Sequence, residues 1–378
     1  MNTSKEILII AGESSGDLHG SALVNSIFKI NPGLKISGIG GDLMRESGVN
    51  LIYHIKDFNF LGFFEVIKHL PYITKVRDNI LEYVRKNKIQ NAILIDYPGF
   101  NLNIAKKLKK EGVKIFYYIS PQLWAWGSGR VKKVKKLIDE MLVVFPFEQD
   151  YYIERGVKAT YVGHPLLERI KNYEFISKEE FCSKYNLDTE KEILAVLPGS
   201  REHEVSLIFP PLIEAAVKIA EKYDMQIVVG CANTIDSGIF KTLSPNSKFT
   251  VIKGNNFEIK RYSKFGLVKS GTTTVESAFL GLPVIIVYKT SPITYFIGKS
   301  VIQVKNIGMI NILSGENTVP ELIQNDANPE KIFSTAAELL DDNNKIERIK
   351  NKYLEIIEQF GSSTPSETAA KIISEGLK

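Results

Sequence analysis

The chain has 378 residues, of which 44% are hydrophobic and 24% are charged, and its formal net charge is +5. This length is enough for two domains with separate cores, and the composition is typical of a globular protein. So small a positive charge does not indicate a nucleic-acid partner, and we expect none. No apolar run reaches the roughly 18 residues that a membrane-spanning helix needs.

Two features of the sequence concern the compartment. The chain enters an apolar strand at residue 6 without a signal-peptide pattern. Its two cysteines, Cys182 and Cys231, have no metal-binding or redox spacing. We therefore expect a cytoplasmic protein with two free thiols.

Apolar runs alternate with glycine-bearing loops and helical segments, which predicts an α/β fold with doubly wound parallel sheets. A shift of composition to Lys, Glu and Asn at 167–192 indicates a linker. We therefore expect an N-terminal domain at 1–168, a C-terminal domain at 169–348, and C-terminal helices at 349–378. The predicted strands are 6–11, 35–39, 92–95, 114–119, 141–145, 159–162, 193–197, 226–230, 249–252, 266–268 and 284–287.

The segment at 57–74, DFNFLGFFEVIKHLPYIT, is crowded with large apolar residues. It is typical of a helix buried against a sheet, and equally of a surface that touches acyl chains or a membrane. Pro71 ends the segment before it is long enough to span a bilayer. We define its most apolar positions as the apolar patch: Phe63, Phe64, Val66, Ile67 and Leu70.

Two loops in the N-terminal half carry candidate site residues. Asp96 follows the strand at 92–95, where ligands bind in open α/β sheets, although an Asp at that place also caps helices. The next loop holds both tryptophans, Trp124 and Trp126, which suit either a ligand wall or the core. The basic run at 130–136 is either a solvated helix face or a contact for anionic headgroups.

Two loops in the C-terminal half have the composition of phosphate sites. Strand 193–197 runs into PGSREHE, which supplies backbone N–H groups, a hydroxyl and a guanidinium. Strand 266–268 runs into KSGTTTVES, where a helix is predicted to begin at Val275. Taken alone, this second loop also suits an ordinary threonine-rich helix cap. Together the two loops predict a diphosphate site.

Both backbone and side-chain groups of this predicted site are expected to bind the ligand. Gly271 allows the backbone to approach a ligand closely, and Glu276 can accept from ribose hydroxyls. The predicted ligands of the diphosphate and ribose are Gly199, Ser200, Arg201, Ser270, Gly271, Thr272, Thr273, Thr274 and Glu276. Further along, GMINIL at 308–313 is predicted to be an apolar loop, Pro320 to open a helix, and 329–378 to be helical.

Several long motifs follow one another in a fixed order along nearly the whole chain. They are AGESSGD, IDYPGFN, YYISPQLWAWGSGRVKK, VFPFEQDYY, YVGHPL, LPGSREHEV, SGTTTVESAFLGLPVIIVYK and GMINIL. Together they resemble the bacterial lipid-A-disaccharide synthases, inverting glycosyltransferases of the GT-B fold. The resemblance implies two doubly wound, Rossmann-like domains that face a cleft. Some members carry a second aspartate where this chain has Gly99, so the role of that carboxylate is not carried over.

The resemblance implies the reaction. UDP-2,3-diacylglucosamine would transfer its sugar to the 6-hydroxyl of 2,3-diacylglucosamine 1-phosphate, giving the β-1′,6-linked disaccharide and UDP. Because both substrates are acylated, it also implies peripheral association with the cytoplasmic face of the inner membrane, through the apolar patch. The C-terminal helices would pack back on the N-terminal domain or exchange between the subunits of a homodimer.

The resemblance also implies roles for individual residues. Inversion requires one displacement and one base for the acceptor hydroxyl, which we predict to be Asp96, with Glu13 as the next candidate. Arg201 would stabilise the departing diphosphate, and Asn311 would join the donor site. His164 would either reach the donor or cap a turn. The sequence has no Asp-x-Asp motif, so we expect neither a metal nor another cofactor.

Two other functions fit parts of the sequence. A UDP-N-acetylglucosamine 2-epimerase has the same fold and phosphate sites, but it would need further acid and base groups and no acyl-binding surface. A peripheral membrane protein that binds a UDP-sugar as a regulatory ligand would show binding without turnover.

Overall fold

The computed structural model describes residues 6–58, 70–291, 295–296 and 304–377. It divides into two compact units, Met1–Glu168 with Phe360–Lys378, and Arg169–Gln359. Four positions of the apolar patch, Phe63, Phe64, Val66 and Ile67, lie outside the described residues. Leu70 begins a helix there, but its side chain is also outside the description.

Strands and helices alternate along the chain. The strands are β1 Glu6–Ala11, β2 Lys35–Gly40, β3 Asn50–His54, β4 Asn91–Ile95, β5 Lys114–Tyr118, β6 Glu140–Val143, β7 Ala159–Tyr161, β8 Glu192–Leu197, β9 Met225–Cys231, β10 Thr250–Lys253, β11 Ser263–Lys269, β12 Val284–Tyr288 and β13 Glu321–Ile323. The helices are α1 Ser14–Ile30, α2 Asp42–Glu46, α3 Leu70–Lys86, α4 Pro98–Lys110, α5 Leu123–Trp126, α6 Val131–Leu137, α7 Pro146–Ile153, α8 Pro165–Lys171, α9 Lys178–Lys184, α10 Glu202–Tyr223, α11 Gly238–Leu243, α12 Asn256–Tyr262, α13 Thr272–Phe279, α14 Met309–Ser314, α15 Pro329–Leu340, α16 Asn343–Gln359 and α17 Pro365–Gly376. Short 3-10 turns lie at Ile55–Phe58, Ser128–Arg130 and Gln324–Asp326.

The strands form two parallel sheets, one in each unit. Among the described residues the first has the order β3-β2-β1-β4-β5-β6-β7 and the second the order β10-β9-β8-β11-β12-β13. Each chain path therefore starts at a central strand, moves to one edge, and returns to the strand beside its start. This reversal is the topological switch point at which open α/β sheets bind ligands. The two sheets confirm the predicted doubly wound fold.

The central strands form because they are apolar on both faces. In β1 the run from Ile7 to Ala11 is almost completely buried, and β8 and β12 show the same pattern from Ile193 and Val284 onward. The sequence of a strand that is covered by helices on both faces is a continuous apolar run, without the alternation of apolar and polar residues seen in a half-exposed strand. These runs are the strongest structural signal in the sequence, and the strands predicted from them are confirmed.

The division between the two units, after Glu168, falls inside the region 167–192 that the sequence indicates as a linker. This region contains α8 and α9, and α9 buries Phe181 and Cys182.

Two expectations about local structure are wrong. The predicted loop at 308–313 is helix α14, and the helix expected after Pro320 is strand β13, which pairs with β12 through Leu322 and Val287. Strand β13 has only three residues, too few for a recognisable hydrophobic pattern. It is stabilised by its pairing with β12, a contact between distant residues that the local sequence does not indicate.

The C-terminal boundary also differs from the expected one. Helix α16 belongs to the second unit and buries Tyr353 there, so the division falls after Gln359 rather than after residue 348. Helix α17 packs on α1 of the first unit. The Ser26 hydroxyl donates to Ser366 at 3.2 Å, and the Asn31 amide donates to Ser374 at 2.7 Å. Exchange of these helices between two copies stays a prediction.

None of the helices in the described part of the chain is both long and apolar enough to cross a membrane.

Candidate active site

A cavity of about 350 Å³ lies at the carboxyl ends of β8, β9 and β11 in the second unit. Leu197 and Val268, near the ends of β8 and β11, pair with each other, so the loops that follow them start side by side. This is the switch point of the second sheet. The cavity is lined by Leu197, Gly199, Ser200, Arg201, Glu204, Gly230, Ala232, Asn256, Lys260, Lys269, Ser270, Gly271, Thr272, Thr273 and Glu276.

Two glycine turns shape this cavity. Gly199 has φ +119° and Gly271 has φ +146°, conformations that favour glycine. Helix α10 begins after the first turn and helix α13 after the second, and among the described residues neither has a side-chain cap on its first turn. Uncapped first turns leave N–H groups and partial positive charge directed at the cavity. The arrangement suits an anion with several oxygens.

The helix after the second glycine begins earlier than expected. It starts at Thr272 rather than Val275, so the threonines form its first turn instead of a loop. Thr272 and Thr273 line the cavity, whereas Thr274 is buried and its hydroxyl donates to the Gly271 carbonyl at 2.8 Å. The structure thus excludes Thr274 from the predicted set because its side chain stabilises the turn.

Charged side chains pair across the cavity. Glu204 accepts from Lys269 Nζ at 3.2 Å and from Arg201 at 3.3 Å. Glu276 Oε2 lies 2.8 Å from Nζ of Lys260, whose side chain is only 3% exposed. The lining therefore carries three cations and two carboxylates, an excess of one positive charge. This excess and the two helix N-termini both favour an anionic ligand.

Sequence reasoning missed three of these charged residues. Lys260 comes from α12, Lys269 from the end of β11, and Glu204 from the first turn of α10. Lys269 and Glu204 lie inside the recognised motifs or next to them, so their positions were a usable signal. Lys260 lies in a helix with no motif, and only the packing of α12 brings it to Glu276.

The structure places Asn311 outside this cavity. Its amide donates to Val319 O and Glu321 Oε1, each at 2.8 Å, and its side-chain oxygen accepts from Val319 N at 3.0 Å. The residue is 1% exposed. Since these bonds tie α14 to the start of β13, Asn311 supports the fold and does not join the predicted donor site.

A second cavity, of about 320 Å³, lies at the switch point of the first sheet. Ala11 and Ile95 pair at the ends of β1 and β4, and the loops that follow them carry Glu13 and Asp96. The sheet therefore brings together two carboxylates that are far apart in the sequence. The cavity is lined by Glu13, Asp96, Tyr97, Pro98, Ile119, Ser120, Pro121, Gln122, Val144 and Phe145.

The backbone of this cavity is held in rarely populated conformations. Asp96, Tyr97 and Ile119 have φ of +43°, +46° and +64°, although none is glycine. Such conformations cost on the order of 1–3 kcal/mol each and persist only where surrounding bonds enforce them. Here the Tyr117 hydroxyl and the Asn101 amide donate to the Asp96 carbonyl at 2.5 and 2.7 Å. Strain of this kind clusters at functional sites.

The environment of Asp96 changes its acidity. Burial and, to a smaller extent, the nearby Glu13 carboxylate together raise the pKa of Asp96 to about 6, against one backbone hydrogen bond that lowers it. A carboxylate with a pKa near 6 is ionised at neutral pH and is a stronger base than an ordinary aspartate. Asp96 is therefore equipped to accept a proton from a hydroxyl.

The sequence was compared with known protein families and their members. The model of the lipid-A-disaccharide synthetase family matches residues 7–373. A lipid-A-disaccharide synthase of Geobacter sulfurreducens is 38% identical, with 100% of this chain and 98% of the relative aligned. One of Coxiella burnetii is 36% identical over 98% of both chains. The chain belongs to the lipid-A-disaccharide synthase family. The family expected from the motifs is thus confirmed.

Solved structures similar to this family member share its fold. UDP-GlcNAc 2-epimerase from Neisseria meningitidis, bound to UDP-GlcNAc, aligns over 98% of this chain and 99% of its own, with a TM-score of 0.64 and 12% identity. A glycosyltransferase from Rickettsia africae aligns over 99% and 98%, with a TM-score of 0.58 and 15% identity. At such low identity the likeness supports the two-domain GT-B fold and nothing finer.

A buried glutamate in this family member supports the cavity of the first unit. Glu148 is 1% exposed and accepts from the Ser120 hydroxyl at 2.8 Å and from the Trp124 indole at 2.9 Å. Its other oxygen accepts from the N–H groups of Val144 and Phe145. Burial raises the pKa of Glu148 to about 7, while these donors act in the opposite direction. The carboxylate ties the loops after β5 and β6, which both line the cavity.

Two aromatic residues predicted as possible ligand contacts have structural roles. Trp124 does not line the cavity, because its indole donates to Glu148 and its ring packs edge-on against Phe147 at 5.0 Å. His164 lies between Phe145 and Phe360, with ring centroids at 5.0 and 5.6 Å. The side chain of Trp126 lies outside the described residues.

His164 also fits the turn-capping role that the sequence left open. Its Nδ1 accepts from Leu166 N at 3.2 Å, and burial lowers the pKa of His164 to about 3, with a further contribution from His19. The ring is therefore neutral at physiological pH. Its contact with Phe145 supports a residue that lines the cavity of the first unit.

We expect Glu148→Gln to destabilise the first unit. The amide presents N–H groups to donors that now meet carboxylate oxygens, and each buried donor left without an acceptor costs about 1–3 kcal/mol. The free energy of unfolding, measured in urea by tryptophan fluorescence, should fall accordingly. Glu154→Gln is the matched control, because Glu154 is exposed and directly follows the same helix, α7, so this change should have little effect. Equal stability of the two variants would contradict the role given to Glu148.

Proposed function

We propose that this chain catalyses the inverting transfer of 2,3-diacylglucosamine from UDP to the 6-hydroxyl of 2,3-diacylglucosamine 1-phosphate. The products are the β-1′,6-linked lipid A disaccharide 1-phosphate and UDP. Family membership over residues 7–373 is the observation that carries this proposal. The Glu13 and Asp96 cavity supplies carboxylates, and the cavity at the ends of β8, β9 and β11, which we call the cationic cavity, supplies cations and helix N-termini. These are groups of the kind that the reaction needs.

The cationic cavity is the proposed site of the UDP moiety. Ser200, Arg201 and the uncapped first turn of α13 would hold the diphosphate, with Glu276 on the ribose hydroxyls. Negative charge grows on the diphosphate as the sugar bond breaks. Fixed N–H groups and cations around that charge lower the barrier because they need no reorganisation during the reaction.

Asp96 is the proposed general base. It would accept the proton of the acceptor 6-hydroxyl as that oxygen attacks the anomeric carbon from the face opposite UDP. Its raised pKa and its position beside Glu13 support this assignment. After burial, Glu13 makes the second contribution to the raised pKa of Asp96, and its own exposed carboxylate accepts from the Ser15 hydroxyl at 2.7 Å. Glu13 is the second candidate for the base.

Contact with a membrane is part of the proposal. Both substrates carry acyl chains, and the apolar patch of the sequence would let the protein reach them at the cytoplasmic face of the inner membrane. The basic helix α6, with Val131, Val134 and Leu137 buried, directs its lysines outward and would add attraction to anionic headgroups.

The decisive experiment supplies the purified protein with UDP-2,3-diacylglucosamine and 2,3-diacylglucosamine 1-phosphate in detergent containing EDTA. We expect disaccharide and UDP to form. Activity that requires added magnesium would contradict the metal-independent step but not the transfer. Conversion of UDP-GlcNAc to its 2-epimer would favour the epimerase, and binding of UDP-sugar without any product would favour a regulatory role.

The proposed base predicts a pH profile. Because Asp96 must be ionised to act, kcat/KM should fall about tenfold per pH unit once the pH drops below about 6. Glu13→Gln removes a charge that raises the pKa of Asp96, so the midpoint of this acid limb should move to lower pH, whatever happens to the maximal rate. An unchanged midpoint in Glu13→Gln, or an unchanged profile in Asp96→Asn, would count against Asp96.

The apolar patch predicts a defect in lipid binding. Phe63→Ser combined with Phe64→Ser should reduce co-sedimentation with vesicles of phosphatidylethanolamine and phosphatidylglycerol, with little change in the thermal unfolding midpoint. Leu354→Ser removes an exposed apolar side chain of the second unit and serves as the control. A lower unfolding midpoint with unchanged lipid binding would instead assign the two phenylalanines to the core.

A further inference from the structure

Lys269 occupies a central position in the cationic cavity. It is the last residue of β11, directly before the loop that carries Ser270 and Gly271. Its side chain is 18% exposed, whereas that of Arg201 is 67% exposed. Lys269 is therefore the more enclosed of the two cations that contact Glu204. A charge in a partly enclosed site acts on a ligand more strongly than one in open solvent.

The side chain of Lys269 extends between the two glycine turns. A Cβ atom placed on Gly199 would lie 3.6 Å from Cδ of Lys269, and one placed on Gly271 would lie 3.9 Å from its Nζ. The aliphatic stem thus passes the first turn and the ammonium group reaches the second. An anion bound by the N–H groups of both turns would therefore meet this ammonium group.

The hydrogen bonds of Lys269 leave it able to bind such a ligand. A lysine ammonium has three donors. Glu204 accepts one of them at 3.2 Å, and this is the one hydrogen bond of the Lys269 side chain to other residues that the structure describes. The Tyr288 ring, 5.9 Å away, offers only a weak contact. Two donors remain for the oxygens of a ligand.

Glu204 positions the ammonium group of Lys269. Its side chain is 12% exposed and its Oε1 contacts both Lys269 and Arg201. The carboxylate thus holds two cations on one wall of the cavity. By contrast, Lys260 is committed to Glu276 and to the Asn256 carbonyl, at 2.8 and 3.2 Å, so it supports that carboxylate.

We propose that Lys269 is a catalytic residue that binds the donor diphosphate and stabilises the negative charge of departing UDP. This inference rests on the proposed function, because it requires UDP in the cationic cavity. Glu204 is the positioning residue that directs Lys269 toward the two glycine turns. The sugar bond breaks with its electron pair going to the diphosphate oxygen while the acceptor oxygen bonds to the anomeric carbon, and Lys269 transfers no proton in this step.

The test compares UDP and uridine binding by isothermal titration calorimetry. Lys269→Met should weaken UDP binding about 10- to 100-fold, as expected for loss of a charged hydrogen-bond donor, and should leave uridine binding unchanged. Lys269→Arg should retain most of the affinity for UDP. Lys264→Met, which removes an exposed lysine from the same strand, is the matched control and should bind both ligands normally.

A second variant separates the charge of Lys269 from its structural contact. The amide of Lys269→Gln can still donate to Glu204, so this variant should unfold normally yet lose affinity for UDP. With the full substrates, its kcat should fall more than its KM rises, because the diphosphate charge grows in the transition state.

Each outcome is decisive. Wild-type affinity for UDP in Lys269→Met, or equal losses of UDP and uridine binding with a lower unfolding midpoint, would overturn the assignment and leave Lys269 as a structural ion pair. Failure of the wild-type protein to bind UDP at all would overturn the donor site itself, and with it the role of Lys269. The two failures are therefore distinguishable.

Discussion

Both candidate cavities depend on one constraint, the reversal of strand order beside the first strand of each sheet. Parallel strands are joined by right-handed crossovers, so a chain that turns back from one edge to the other places consecutive helices on opposite faces. The loops after the two central strands then diverge and leave a space at the sheet edge. Ala11 pairs with Ile95 at this place in the first unit, and Leu197 and Val268 pair near it in the second.

The same geometry supports different chemistry in the two units because the loops differ in composition. In the second unit, two glycine turns and uncapped helix N-termini are combined with lysine and arginine, which favours anions. In the first, Asp96 follows its strand immediately and lies beside Glu13, so burial and like charge raise its pKa. Fold alone does not determine this chemistry, as epimerases of the same architecture illustrate.

Carboxylates with several hydrogen-bond donors hold loops and helix starts in both units. Glu148 connects the loops after β5 and β6, and Glu321 accepts from the N–H groups of Ile307 and Gly308 and from Asn311. Asp17 accepts from three N–H groups at the start of α2. Removing a carboxylate from water is costly, and several donors on each one offset that cost. Carboxylates of this kind often serve as catalytic groups, but these three accept hydrogen bonds that hold the backbone in place.

Local patterns were sufficient for the fold and for much of the two cavities. Continuous apolar runs and the glycine, serine and threonine loops after them depend on near neighbours, so the sequence by itself determined most of the strands and the placement of Asp96, Ser200 and Gly271 after strand ends. The tertiary structure alone decided what depends on distant partners. It brought Lys269 and Lys260 to the cavity, assigned Asn311 and Trp124 to structural contacts, and made Glu321–Ile323 a strand. These outcomes rest on pairing and packing between residues far apart in the chain, for which a sequence carries no periodic signal.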